Sequence, residues 1–439
     1  MAIKVCKFGG TSMSNSQAIR HVSEIIKGDK DRRYVVLSAP GKRNKEDFKI
    51  TDKLYECYAV KCEKGSCAEP FKALRERFIE IVDSLGVKVD IQSVLDRTEA
   101  EIDRSTAPDF AASRGEYLSA FVMANYLGYE FVDAAEIIKF KEDGTFDDSL
   151  TNELASKRLS GISYAIIPGF YGSKPDGTIK TFSRGGSDVS GSIVARAVSA
   201  DLYENWTDVS GFMTADPRII DSPKIIKKVS YQELRELSYM GASVLHPDAI
   251  FPVRISGIPI NIKNTFAPND RGTMIVAHTT AHTAEEPVTG IAGKKDFSVI
   301  YVEKSMMNSE LGFGRKILSV LEEFGVPFEH MPSGIDTLSV IVSTSAIINK
   351  QDKIVARIVE AVSPDTVTVH HGLALIATVG HGMNAKVGTA SRIFDALAKA
   401  NVNVRMIDQG SSEKNVIIGV LNTDYEASIK AIYNEFFGE

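Results

Sequence analysis

Lys7-Phe8-Gly9-Gly10-Thr11-Ser12 places a lysine just ahead of two glycines, where the first apolar run gives way to a helical stretch. Glycines let backbone N–H groups come close to an anion, and a helix start adds positive potential. Lys7 at a strand end can neutralise charge on a transferring phosphoryl group. The spacing G-x-x-x-x-G-K-[ST] occurs nowhere in the chain, so this is not a Walker A loop. Ser183-Arg184-Gly185-Gly186-Ser187-Asp188 repeats the same logic before a helical run over 189–199. Arg184 offers a planar fork for a carboxylate, and Asp188 can orient the attacking group or the lysine. The plain alternative is a capping turn, since Ser and Asp are good N-caps.

Trp206-Thr207-Asp208-Val209-Ser210-Gly211-Phe212-Met213-Thr214-Ala215-Asp216-Pro217-Arg218 follows an apolar strand directly, where a nucleotide would lie in a parallel sheet. Ser113-Arg114-Gly115-Glu116 opens a helical run with an acidic group, which in isolation reads as capping chemistry. Gly241-Ala242-Ser243-Val244-Leu245-His246-Pro247 contains a histidine beside a proline, more often structural than catalytic. His278 and His282 stand in a polar stretch and read as solvent-exposed rather than metal-binding. Cys57, Cys62 and Cys67 are five residues apart, which sends them in different directions on a helix, so they too carry no metal reading.

These groups need elements to hold them. Apolar runs at 3–8, 34–38, 130–133, 164–168, 202–206 and 258–263 read as strands, and 17–27, 112–127, 189–199 and 231–240 as helices. Strands alternating with helices predict a mostly parallel α/β sheet covered on both faces, with ligands at the carboxyl ends of its strands. A polar stretch at 279–287 reads as a linker. Beyond it the sequence repeats itself at an offset of 76 residues: Ile300 matches Ile376, Gly312 matches Gly388, Ile317 matches Ile393 and Leu321 matches Leu397.

The 439 residues carry a net charge of −6, with no cluster of five basic residues, which argues against nucleic acid as a partner. No apolar run approaches the roughly 18 residues of a membrane span, and the N-terminus has no secretory pattern. Four cysteines form no disulfide framework, so a cytoplasmic setting is expected.

The segments Lys7–Ser12, Ser183–Asp188, Trp206–Arg218 and Gly241–Pro247, in this order and followed by a tandem repeat, resemble the aspartate kinases of the amino acid kinase family. The resemblance spans essentially the whole chain and the monofunctional form. It implies an amino acid kinase-like domain over 1–280, a linker over 281–292, and two ferredoxin-like ACT repeats over 293–366 and 367–439, their strands interdigitated. It implies transfer of the γ-phosphoryl of ATP, with Mg2+ carried on the nucleotide, to the β-carboxylate of L-aspartate. Lys7 would then stabilise the transferring phosphate, with Gly9 and Gly10 donating N–H groups and Asp188 organising the lysine. Glu116 would hold the substrate ammonium and Arg184 its α-carboxylate, with Gly185, Gly186, Ser187, Ser38 and Thr51 around the substrate. Thr207, Asp208, Met213, Arg218, Ser243 and Val244 would lie at ATP.

Two departures stand out. Many relatives have a lysine where this chain has Ser243, and the loop after Ser38 is longer and more basic. Ser243 is the one feature favouring a non-catalytic amino acid sensor over a kinase. Other amino acid kinases share the Gly-Gly loops without the Trp-Thr-Asp-Val segment and the repeats. In the repeats the resemblance implies an effector site at Met307, Gly312, Phe313, Gly314, Glu329, Ser333, Gly334 and Asp336. Lysine, alone or with threonine, is the expected effector, and a homodimer or larger homo-oligomer the expected assembly.

Overall fold

The computed structural model describes residues 2–183, 185–242, 245, 247–277, 287–410 and 412–438. Arg184, Ser243, Val244, His246, His278, His282 and the linker segment 281–286 lie outside the described residues. The chain forms two compact units, one of residues 1–212, 225–234 and 244–279, the other of 213–224, 235–243 and 280–439.

The first unit is built on a sheet whose strands are β1 (Lys4–Phe8), β2 (Arg32–Leu37), β3 (Glu130–Phe131), β4 (Ala165–Pro168), β7 (Leu202–Thr207), β8 (Lys228–Ser230), β9 (Ile260–Asn264) and β10 (Thr273–Val276). A small hairpin of β5 (Tyr171–Ser173) and β6 (Ile179–Thr181) stands apart from it. The order β3-β4-β2-β1-β7-β9-β10-β8 is parallel except at β9/β10. Six strands read from apolar runs are present; the short β5, β6, β8 and β10 are additions. β1 sits between β2 and β7, so Phe8 lies beside both Leu37 and Trp206. Val5, Phe8, Val35, Leu37 and Trp206 are fully buried, as strands covered on both faces must be. Each such side chain contributes roughly 1.5–3 kcal/mol.

Helix α1 (Ser16–Lys27) starts where the Asn15 side chain accepts from the Ala18 N–H at 2.9 Å. Three further helices, α2 (Ile50–Lys64), α3 (Ala68–Leu85) and α4 (Ile91–Arg104), pack Leu54, Phe71, Phe78, Leu95 and Ile102 into one core with α5 (Pro108–Leu127). Cys57 and Cys67 are part of that core. α5 begins with Pro108, which has no N–H to leave unsatisfied, and both of its faces are buried over residues 111–116. The helix after the second Gly-Gly loop spans Gly186–Ala197, three residues earlier than its apolar pattern starts, so Asp188 lies within its first turn.

In the second unit the 76-residue repeat becomes geometry. β11 (Gly290–Glu303) and β14 (Thr366–Val379) are equivalent 14-residue strands paired antiparallel along their length. With β12 (Phe328–His330), β13 (Thr337–Ser343), β15 (Met406–Asp408) and β16 (Asn415–Leu421) they form one sheet, ordered β12-β13-β11-β14-β16-β15. Residues 290–292, which the resemblance assigns to the linker, thus belong to a strand. Each long strand serves both repeats. Phe297–Glu303 pairs with β13 and with the first half of β14, and Leu373–Val379 pairs with β16. Ile300, Val302, Val340 and Ile317 enter one core, while Ile291, Ile376, Ile418 and Ile393 enter the other. Ala215 and Ile220 join the second core, and the Ile291 N–H donates to the Thr214 carbonyl at 2.7 Å.

Where each long strand changes repeats its backbone turns left-handed, at Asp296 (φ 70°) and at its equivalent Gly372 (φ 82°). A Cβ at Gly372 would meet nothing within 4 Å, so only the backbone conformation opposes a side chain there. Gly372→Ala is therefore expected to destabilise the protein by about 1 kcal/mol, the cost of a left-handed L-residue, in a urea melt with unchanged m-value.

Candidate active site

Lys7, Gly10, Ser38, Thr207 and Asp208 lie at or just past the carboxyl ends of β1, β2 and β7, three adjacent parallel strands. That is where side chains and loops of an open parallel sheet converge. Lys7 is buried at 8% exposure, and its Nζ meets Asp188 Oδ1 at 2.6 Å. The same Oδ1 accepts from Asn205 Nδ2 at 2.8 Å. Asn205 pairs in register with Lys7 across β1 and β7, so both side chains point to the same face. The result is a cation fixed on a strand by a carboxylate on a helix, itself fixed by an amide on the next strand.

The opposite face of those strands carries a second polar group. Glu204 accepts from Arg32 Nε at 2.7 Å, Trp206 Nε1 at 3.0 Å and Cys6 Sγ at 3.3 Å. Burial pushes the Cys6 thiol well up. Glu204 itself is buried, at 3% exposure.

Gly10 makes the approach of the first two loops possible. A Cβ there would come 2.9 Å from the Ala39 carbonyl oxygen, and one at Gly41 would come 2.7 Å from the Gly10 carbonyl carbon. The Gly41 N–H donates to the Gly10 carbonyl at 2.8 Å. Gly9 departs from its expected role. Its N–H donates to the Trp206 carbonyl at 3.1 Å, extending the β1–β7 ladder by one residue, and so is committed to the fold. Ser38 likewise gives its N–H to the Phe8 carbonyl at 3.1 Å.

Glu116 reaches the same edge from α5. It is 5% exposed, and burial raises its carboxyl to about 8 against the help of the Ala39 N–H and the Arg114 charge. Its Oε2 is buried with no hydrogen-bond partner among the described residues. Buried carboxylates ordinarily find a cation or donors. This one stands ready for a cationic group. Gly115 beside it lets the helix pack on Ala39 and Ile50, since a Cβ would come 2.7 Å from the Ala39 Cβ.

On the other side of Lys7, Asp208 Oδ2 accepts from Thr11 Oγ1 at 3.4 Å and its Oδ1 from Thr207 Oγ1 at 3.2 Å. Gly185, Gly186 and Ser187 lead into the helix that carries Asp188, with Ser187 packed against Gly169. Thr51 is half-buried in the first turn of α2. Met213 and Arg218 belong to the second unit, and Arg218 is held by Asp216 through Nη2 at 2.6 Å. Asn205 and the Ala39 N–H are parts of the site that the sequence pattern does not mark. A lone Asn inside an apolar strand was the only sign of the first, and a main-chain donor leaves none.

In the repeats, the Met306 N–H donates to Asp336 Oδ1 at 2.8 Å and the Asn308 N–H to the Ile335 carbonyl at 3.1 Å. The loops around Met307 and Ser333–Asp336 are thereby joined. Gly312 caps the helix Phe313–Glu323, whose Phe313 is buried, and Gly314 faces Met331. Gly334 closes the turn by donating to the Thr337 carbonyl at 2.7 Å. Glu329 accepts a hydrogen bond from Tyr239.

A lysine–aspartate pair at glycine loops on the carboxyl edge of a largely parallel sheet is an arrangement that can hold and neutralise an anionic group. Residues 2–264 match the amino acid kinase family and residues 376–436 the ACT domain. The chain is 39% identical to aspartokinase 3 of Bacillus subtilis (strain 168), with 99% of each sequence covered. It is 51% identical to the crystal structure of Clostridium acetobutylicum aspartate kinase, over 99% of this chain and 100% of that one, with a TM-score of 0.92. Aspartokinase III of E. coli, solved with lysine and aspartate in its T-state, is 25% identical over 99% of each chain, with a TM-score of 0.74. The chain therefore belongs to the amino acid kinase family, and within it to the aspartokinases that carry ACT domains. Among the described residues no helix is long and apolar enough to cross a membrane.

Proposed function

We propose that this protein transfers the γ-phosphoryl of Mg-ATP to the β-carboxylate of L-aspartate, giving 4-phospho-L-aspartate and ADP. The observation that carries the reading is Glu116, a buried carboxyl with one oxygen unpartnered among the described residues, at the strand edge that also holds Lys7. The ammonium of an amino acid supplies the missing partner. Arg184 takes the α-carboxylate, which leaves the β-carboxylate free to attack. Its oxygen forms the new bond to the γ-phosphorus as the bond to the bridging oxygen breaks and ADP leaves with the electron pair. A carboxylate is a weak nucleophile toward a polyanion, so positioning and charge neutralisation supply most of the acceleration. Lys7 provides the charge, and Asp188 with Asn205 keeps it aimed. Mg2+ would arrive on the nucleotide phosphates, its preferred oxygen ligands, and would offset part of their charge. The hydroxyls of Thr11 and Thr207 and the Asp208 carboxylate, already joined by hydrogen bonds, would face the nucleotide and its ion rather than replace the phosphates as ligands.

The ACT module binds an end-product amino acid, lysine or lysine with threonine, at the joined loops of Met307–Gly314 and Ser333–Asp336. That a lysine complex of the E. coli relative exists supports lysine as the effector. Pairing of the edge strand β12, whose Phe328 is exposed, with a second copy gives a homo-oligomer. Four free thiols fit a reducing cytoplasm.

Hydroxylamine trapping of the acyl phosphate tests the reaction. Purified protein with Mg-ATP and aspartate should yield hydroxamate, glutamate should not, and added lysine should suppress it. Binding of ATP and amino acid without hydroxamate would instead support the sensor reading favoured by Ser243. Arg184→Ala should raise the aspartate KM by tenfold or more, on the order of a lost charge-assisted pair, with little change for ATP.

A further inference from the structure

We propose that the first unit holds a second ligand site, for a small molecule carrying an anionic oxygen group on a flat apolar body. A cavity of about 620 Å³ opens between α4, α5 and the β5–β6 hairpin, within the size range of small-molecule sites. Its central group is Arg114, only 6% exposed. The guanidinium lies 4.5 Å from the ring centroids of both Phe110 and Tyr117 and 5.4 Å from that of Tyr171. Its Nε and Nη2 donate to Ser113 Oγ at 3.0 and 2.9 Å. Among the described residues it has no ion-pair partner, although a guanidinium this deeply buried ordinarily has one.

Arg97 and Arg104 of α4 line the same cavity and are likewise without ion pairs among the described residues. Two carboxylates face them, Glu101 and Asp133. Asp133 Oδ1 already accepts from the Tyr171 hydroxyl at 2.7 Å and the Ala135 N–H at 2.9 Å. Three guanidiniums against two acids, one of them occupied, leave a positive excess in a chain whose net charge is −6. Ser113 takes the Nε–Nη2 edge, so Nη1, which makes no hydrogen bond among the described residues, is what remains for an anion, and Tyr117 and Phe121 offer apolar walls to the rest of a ligand.

The site is separate from the proposed catalytic one. Arg114 and Glu116 are two residues apart on α5, so their side chains leave the helix about 200° apart. Glu116 turns to Ala39, Arg114 to Tyr171.

The test uses the full chain with two probes, 4-fluorobenzoate followed by fluorine NMR and phenyl phosphate followed by calorimetry. At least one should bind saturably in the millimolar range and persist in the presence of saturating ATP and aspartate. The tighter of the two identifies carboxylate or phosphate as the preferred group. Arg114→Met should weaken it by about tenfold or more, the loss of a charge-assisted contact. Arg97→Ala changes only an exposed side chain and should weaken it by about two- to fivefold. No saturable binding of either probe, equal binding in the variants, or displacement by aspartate would overturn the proposal.

Discussion

Glu116→Gln is expected to abolish useful aspartate affinity while making the ligand-free protein relatively more stable at alkaline pH. Both effects come from one buried carboxyl. In the folded chain it titrates near 8 instead of in the usual carboxyl range, so the folded state holds its proton more tightly than the unfolded chain does. Stability from this group is present at low pH and is lost as pH rises toward 8. Glutamine removes that slope. Between pH 5 and pH 8 the stability difference should therefore move in the variant's favour by about 3 kcal/mol. Parallel urea titrations at the two pH values measure it.

Binding has the opposite sign. An ammonium needs the ionised carboxylate, so aspartate affinity in the parent protein should rise with pH, by about tenfold or more between pH 6 and pH 8. Calorimetry at both values should show that rise in the parent and none in Glu116→Gln. A pH-independent parent affinity would remove Glu116 from the substrate.

The second large effect is at Lys7. Lys7→Met keeps the stem packed on the strand and removes the charge, leaving Asp188 with Asn205 as its one side-chain partner among the described residues. Loss of one aligned donor to a developing oxyanion typically costs about 10²–10³ in kcat. The aspartate KM should stay within about threefold, because Lys7 acts on the phosphoryl group rather than on the amino acid. Steady-state kinetics with the hydroxamate assay separate the two. A variant that kept full turnover would leave the Lys7–Asp188 pair a structural feature.

Much of this site was legible in sequence because its parts are local. A lysine before two glycines at the end of an apolar run describes a strand end and a loop in six consecutive residues. The repeat was legible for the same reason, since matched residues at one offset already imply two equivalent strands. What could not be read is what depends on register and burial. Asn205 becomes part of the site only because β7 lies beside β1 with Lys7 and Asn205 paired. The Gly9 N–H is lost to phosphate because the β1–β7 ladder runs one residue further than its apolar pattern. Glu116 and Arg114 look alike as charged residues near a helix start. Only the packing on both sides of α5 shows that both are buried, with no ion pair for either among the described residues. The short strands β5, β6, β8 and β10 have three or four residues each, too few for alternation to register.

The shared strands β11 and β14 constrain how this protein could have been assembled and how it can be cut. Each repeat lends half of a central strand to its twin and borrows half in return. A fragment ending near residue 365 would contain every residue of the first repeat's helices, yet lack the strand that closes its sheet. The second repeat, begun at residue 366, would lose Gly290–Lys294 from its own. Duplication therefore produced not two spare parts but one indivisible object, and shuffling, truncation or grafting must carry residues 290–437 as a piece.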